Sequence, residues 1–398
     1  MQVGDTHQAP GPEVTHDPSE PVARADATGV EEMPRVLFTR RQLVAFALFV
    51  LLAICFLYFV LPNLAGVGAT VHHLEGGDRW WIAIGVLFEI LSFGGYVMLF
   101  RAVFVTNSQT NPRSRIGWRE SYQITMAGLA ATRLFAAAGA GGVALTAWAL
   151  RRSGMEPRLV ASRMVAFFVL LYVIYAGSLL IGGLGLATGL FPGGGSFAIT
   201  ILPAIAAVAL FAITGAMALV PDDIERRLWG WASRSGRLAQ WVARGATVPA
   251  LAASGVRTAI ELIRSRDLGL VGALAWWGFD ICVLWAMFHA FGSPPPFAVI
   301  TMAYFLGMLG NLLPLPGGLG GVEGGMIGAF AAFGVDFNLA LLAVLSYRAI
   351  SFWLPTLPGA LAYIQLRRTV ARWRDEQGAD TGEPLRASAG AAGALQGS

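Results

Sequence analysis

The sequence predicts an all-α polytopic membrane protein, and three observations carry that expectation. First, 56% of the 398 residues are hydrophobic and 13% are charged, whereas a soluble domain is about 25% charged. Mean hydropathy is +0.61. So few charges cannot clothe a soluble surface, and so many apolar residues exclude disorder along the whole chain. Second, apolar runs recur at a length that crosses a hydrocarbon core of about 30 Å. Third, the basic residues collect in the stretches between those runs, as cytoplasmic loops require.

The finer composition removes several classes of chemistry. All 28 basic residues are arginine. Without lysine there is no Walker P-loop and no Schiff-base or general-base lysine. Cys55 and Cys282 sit in apolar runs and suit neither a disulfide framework nor a zinc site. The net charge of +4 and pI near 9.4 point to anionic lipid headgroups as partners, not to nucleic acid, because the arginines flank membrane-length runs.

Taken in order, residues 1–38 are polar, acidic and rich in Pro and Ala, and are expected as a disordered tail. Arg40 and Arg41 precede the run 43–61, long enough to span. The acidic leader and the length of the run argue against a cleaved signal peptide. Further runs lie at 80–104, 121–138, 143–150, 159–190, 197–220, 268–291, 297–313, 321–333 and 339–366. Residues 39–370 thus form the membrane domain, and 371–398 are expected as a second disordered cytoplasmic tail.

The runs 143–150 and 321–333 are too short to span, and each follows a glycine cluster, AAAGAGG at 136–142 and PLPGGLGG at 314–321. Both patterns suit a re-entrant hairpin, in which one helix enters, the chain breaks and a half-helix returns; two ordinary spans with a flexible turn are the alternative. Charge placement favours hairpins. The loop with Arg113, Arg115 and Arg119 and the loop with Arg151, Arg152 and Arg158 are both basic. They share the cytoplasmic side only if 120–150 enters and leaves by one face. Residues 292–296 carry no charge and 334–338 carry only Asp336, which places both outside. The expected architecture is about six spans and two re-entrant hairpins entering from opposite faces, with both termini cytoplasmic, in the plasma membrane.

Residues 222–267 read differently. Ile224, Leu228, Trp231, Leu238, Trp241 and Val242 recur at helical spacing, with Arg226, Arg227, Arg234, Arg237 and Arg244 between them. Such a helix lies in the cytoplasmic membrane interface; packing on protein is the alternative.

An internal repeat links the two halves. AAAGAGGVALTAWALRRSGM (136–155) and LPLPGGLGGVEGGMIGAFAAFGV (313–335) each hold a glycine cluster, an apolar helix and a closing glycine. The next span carries Arg163 in one half and Arg348 in the other. Opposite orientations of the two units give the inverted repeat of transporters that bind substrate near the midplane.

The stretch NLLPLPGGLGGVEGGMIGAFAAFGVDFNLALLAVLSYRAISFWLP (311–355) resembles the lysylphosphatidylglycerol synthase transmembrane family, also called the flippase-like or UPF0104 domain. The resemblance rests on Pro-Gly-Gly with its glycine run, on Glu323 and on Arg348. GAGGVALTAWALRRSGM (139–155) is similar to an earlier family segment, though it lacks a proline before its first glycine cluster. The resemblance covers roughly 40–370, leaves no room for the soluble aminoacyl-transferase domain of two-domain members, and implies lipid translocation between leaflets.

The residues give that expectation candidates. A charge at a helix centre costs roughly 2.5–3.5 kcal/mol on insertion scales, so each needs a partner or a purpose. Arg133 and Arg348 are candidates for an anionic headgroup, because a guanidinium grips phosphate with two parallel donors. The glycines Gly141, Gly142, Gly317, Gly318, Gly320 and Gly321 would expose half-helix N–H groups to the same anion, or only let helices approach closely. Glu323 would position or couple, or act as counter-charge to Arg348. Glu89 and Asp280, mid-span, are candidate partners for Arg133, Arg163 or Arg348. Arg163 is expected to reach headgroups by snorkelling, with Arg226, Arg227, Arg234 and Arg237 as further interfacial contacts. His72, His73 and His289 make no metal set, and no nucleophile elbow, HExxH or CxxC occurs.

The reading is therefore a lipid translocase moving an anionic phospholipid or lipid-linked molecule, with no cofactor, no metal and no enzymatic step. The alternatives are a membrane subunit presenting lipid to a separate synthase or glycosyltransferase, and a non-transporting scaffold. A homo-oligomer or a partner synthase is compatible with each.

Overall fold

The computed structural model describes residues 76–106, 116–134, 140–219, 237–313 and 318–394. Among them there are helices and no strand. Five stretches are long and apolar enough to cross a membrane: Arg79–Val105, Pro157–Ala187, Phe197–Ala218, Leu268–Phe291 and Phe337–Glu376. They coincide with the second to sixth expected spans. The first, 43–61, lies outside the described residues, as do the tail 1–38, His72 and His73. The chain is thus an all-α polytopic membrane protein.

Helix α1 (Arg79–Arg101) starts where Asp78 accepts the Trp80 N–H at 2.9 Å, and it continues into a π turn, Ala102–Thr106. Two short helices follow, α2 (Trp118–Leu134) and α3 (Ala140–Arg152). Then come the long α4 (Pro157–Ala187), α5 (Phe197–Ala218) and α6 (Arg237–Arg264). The second half repeats the first: α7 (Val271–Phe291), the short α8 (Phe297–Met308) and α9 (Gly321–Ala332), then α10 (Phe337–Arg348). A π turn at Ala349–Trp353 leads to α11 (Thr356–Ala394).

At 1.5 Å per residue, the 13 residues of α3 and the 12 of α9 reach only about 20 and 18 Å, short of a bilayer core of about 30 Å. Each packs on the segment before it with glycine at the contact, Gly142 against α2 and, in the 3-10 turn Leu309–Leu312 that follows α8, Gly310 against α9. A Cβ on Gly142 would lie 2.3 Å from the Gly128 carbonyl oxygen, and one on Gly310 would lie 2.2 Å from the Gly321 carbonyl carbon. Backbones in such contact exclude any side chain, as in close-packed membrane helices.

The two halves meet along α1 and α7, which run antiparallel. Asp78 N–H donates to the Ala290 carbonyl (3.0 Å) near one end. Ser92 Oγ donates to Trp276 O (2.8 Å) further along, and Gly95 meets Gly272 beyond that. Each closing helix then crosses to the other half's short pair. Tyr175 of α4 donates to Phe305 O of α8 at 2.5 Å, and Gly359 of α11 abuts Met126 and Ala130 of α2. Corresponding helices therefore exchange partners. The buried core is formed chiefly by α7 to α10, including Leu284, Phe288, Phe305, Met326 and Phe330. Outward-facing Leu202, Ile205, Val208 and Ile213 of α5 are more than half exposed (52–56%), as lipid-facing side chains are.

Two expectations change. Residues 371–394 continue α11 as helix, not as a tail. Val370 and Trp373, one turn apart, are buried on one face and carry the helix past the span. The described part of 222–267 packs on protein: Ala253, Val256, Ala259 and Leu262 of α6 are buried, and Ser162 of α4 lies 3.3 Å from Ser254 and 3.1 Å from Thr258. Arg226, Arg227 and Arg234 lie outside the described residues, and Arg237 opens α6 without a described side chain.

Candidate functional site

Buried charges from both halves collect where α1, α2, α7, α9 and α10 approach. Glu323 is the third residue of α9. Its Oε2 accepts the Gly320 N–H (2.7 Å), so the side chain caps its own helix, while its Oε1 accepts Arg348 Nε at 2.7 Å. Glu323 is 1% and Arg348 7% exposed. Gly320 has φ +82, a left-handed conformation natural to glycine, and this turns its N–H toward the carboxylate.

The pairing gives the glycine cluster a specific job. The positive end of α9 already faces a carboxylate, and Gly318, Gly320 and Gly321 shape that turn. Gly142 is in close backbone contact and Gly141 sits beside it in the first turn of α3. Gly317 lies outside the described residues. Packing and capping account for these glycines where an exposed anion cradle was expected.

Arg133 ends α2. Its Nη1 donates to the Phe352 carbonyl at 3.1 Å, an acceptor in the π turn, where the usual helical donor is displaced. Its guanidinium carbon lies 5.7 Å from the Phe93 ring and 5.5 Å from the Phe352 ring. Arg348 stands 4.8 Å from the same Phe352 ring, so this phenylalanine contacts both guanidinium groups. Among the described residues no carboxylate comes within ion-pair distance of Arg133.

Glu89 and Asp280 do not pair with arginines as expected. They face each other across the α1–α7 crossing, their carboxyl groups within hydrogen-bonding reach. Asp280 Oδ2 also accepts the Tyr304 hydroxyl and, at 2.9 Å, the Tyr347 hydroxyl. These tyrosines, from α8 and α10, are the members that sequence reading missed. Tyr347 is adjacent to Arg348, and that adjacency was the available signal.

Arg163 corrects another expectation. It is 7% exposed and donates to the Val103 carbonyl in the first π turn. That acceptor draws the guanidinium into the protein, so it does not snorkel outward.

Beside the cluster lies a cavity of about 430 Å³, lined by Glu89, Phe93, Trp118, Tyr122, Met126, Leu354 and neighbouring residues of α1, α2 and the α11 approach. Its walls are apolar and Glu89 is its charged lining residue. Arg133 sits behind Phe93, one of those walls. Among the described residues no group of three potential metal ligands occurs.

The helices and their buried charges define a multi-pass integral membrane protein. Within that class, the chain belongs to the family described as the lysylphosphatidylglycerol synthase TM region, which residues 36–359 match. Its relatives include a UPF0104 membrane protein of Methanothermobacter thermautotrophicus, 38% identical over 111 residues, 28% of this chain and 32% of that one. A second match to a UPF0104 membrane protein of that organism is 36% identical over 115 residues, 27% of this chain and 34% of the relative. The UPF0104 membrane protein MJ1595 of Methanocaldococcus jannaschii is 29% identical over 93 residues, 23% of this chain and 28% of the relative. The matches span about a third of the length of these relatives.

Proposed function

We propose that this chain moves an anionic lipid, or a lipid-linked anion, between the leaflets of the plasma membrane. The observation that carries the reading is Arg133: a half-buried guanidinium behind the Phe93 wall of an apolar cavity, with no carboxylate partner among the described residues. A charge held in low dielectric at that cost is generally functional, and phosphate is its natural complement. Acyl chains would stay in lipid while the headgroup enters between the short helix pairs, which act as re-entrant hairpins. Arg348 stands against the same Phe352 ring and adds positive field, while Glu323 holds it in place. The alternative, a subunit presenting lipid to a separate enzyme, is supported by the family's own description as the membrane region of a synthase.

Purified protein in vesicles carrying fluorescent phosphatidylglycerol separates the readings. Translocation by the chain alone supports transport, and translocation only with an added partner supports presentation. Arg133→Gln should leave a folded protein that moves the probe roughly ten- to a hundredfold more slowly, the worth of a charge-assisted hydrogen bond of about 1.5–3 kcal/mol. Wild-type rates in Arg133→Gln would remove the arginine from the site.

Topology supplies a second test. In a background with Cys55 and Cys282 replaced, single cysteines at Arg119 and Glu156 should react with impermeant reagents only from the cytoplasm, and those at Ser293 and Asn338 only from outside. Labelling of either pair from opposite faces would rule out re-entrant hairpins and the cytoplasmic termini deduced with them.

A further inference from the structure

The Glu89–Asp280 contact has no part in gripping phosphate, and its chemistry is different. Two carboxyl groups in hydrogen-bonding contact away from water repel when both are ionised, and such pairs hold a proton between them. The environment distinguishes the two. Asp280 accepts two tyrosine hydroxyls, which favour its charged form. Glu89 is 3% exposed, its Oε2 has no hydrogen-bond donor among the described residues, and its side chain lines the cavity.

We propose that Glu89 and Asp280 form a proton-binding site at the cavity, and that an anionic headgroup and a proton occupy it together. The second half of the proposal rests on the translocation reading above; the first does not. The groups around the pair are Arg133 on α2, Tyr304 on α8, Tyr347 and Arg348 on α10, and Glu323 on α9 acting through Arg348. With one proton shared by the pair, the two arginines balance Glu323 and the remaining carboxylate, and the cluster is neutral. A phosphate at Arg133 adds a negative charge to this low-dielectric region. A second proton, taken up so that Glu89 and Asp280 each carry one, restores neutrality, and both stay on the pair while the headgroup is bound. Headgroup and proton thus favour each other's binding.

A proton fits better than a metal cation. The two hydroxyl donors aimed at Asp280 Oδ2 occupy lone pairs a cation would need, and among the described residues no third acidic, histidine or cysteine ligand joins the pair.

Two measurements on the full chain test this. Infrared difference spectroscopy in nanodiscs should show the carbonyl stretch of a protonated buried carboxyl at neutral pH, lost in Glu89→Gln. A wild type without that band, across acidic to alkaline buffer, overturns the proton site whether or not lipid moves. In vesicles loaded with a pH dye, movement of fluorescent phosphatidylglycerol should be accompanied by proton movement. Its rate should fall about tenfold per pH unit above the titration point of the pair, and Glu89→Gln should flatten that dependence. Lipid movement without a proton signal, with the pH slope intact in Glu89→Gln, or set by sodium instead of pH, overturns the coupling. A carboxyl band that titrates in a protein moving no lipid upholds the proton site and overturns translocation.

Discussion

Arg348→Gln should yield little folded protein, and Glu323→Gln should behave alike, whereas the two changes together should restore it. The reason is the arrangement of the pair. Both carboxylate oxygens of Glu323 are used, one by Gly320 N–H and one by Arg348 Nε, and both residues are buried. Removing one partner strands the other's charge in low dielectric, a loss of roughly 3–5 kcal/mol. Neutralising both removes that cost, and Gln at position 323 can still accept from Gly320 through its amide oxygen. Monodisperse yield in detergent and thermal unfolding read the outcome. The double variant should also recover most lipid movement, because Arg133 lies outside this pair. A folded but inactive double variant would move the headgroup role to Arg348, and a double variant as unstable as either single one would disprove the ion-pair account.

Gly310→Val should be as damaging, for a steric reason. Its Cβ would fall 2.2 and 2.3 Å from the carbonyl carbon and oxygen of Gly321, and backbone cannot rotate aside as a side chain can. The turn after α8 must part from α9, which also moves Glu323 from Arg348. Overpacking a close-fitted site costs roughly 1–3 kcal/mol or more, and the loss of the ion pair would add to it. Gly324 is the control: a Cβ there meets nothing within 4 Å, so Gly324→Ala should be neutral or gain up to about 1 kcal/mol in helix propensity. Equal thermal stability of Gly310→Val and wild type would mean the helices are not in contact at that point.

Sequence legibility followed the physics of each feature. The membrane-length helices were readable because the hydrocarbon core sets length and apolarity residue by residue, and the described spans fall where hydropathy placed them. The short helices after each glycine cluster were readable for the same reason. Glu323 and Arg348 could be suspected as partners, because a buried charge needs an opposite one. The partner of Glu89 could not be named. Each mid-span charge had several candidates, and only the antiparallel crossing of α1 and α7 sets two carboxyl groups face to face. Arg163 was misjudged because its acceptor is a backbone carbonyl, which every residue carries and no sequence pattern marks.

The sequence by itself determined the all-α membrane class, the repeat of long and short helices, and the presence of charges too costly to lie idle in lipid. Those properties follow from composition and local spacing, which the bilayer as solvent tests directly. The tertiary structure alone decided which charge meets which. It also decided that the α9 N-terminus faces its own glutamate, that Tyr304 and Tyr347 join Asp280, and that Arg133 is left beside a cavity. Contacts between residues as far apart as Arg133 and Phe352 depend on helix crossing and on π turns that free particular carbonyls, and neither is written in the residues on either side.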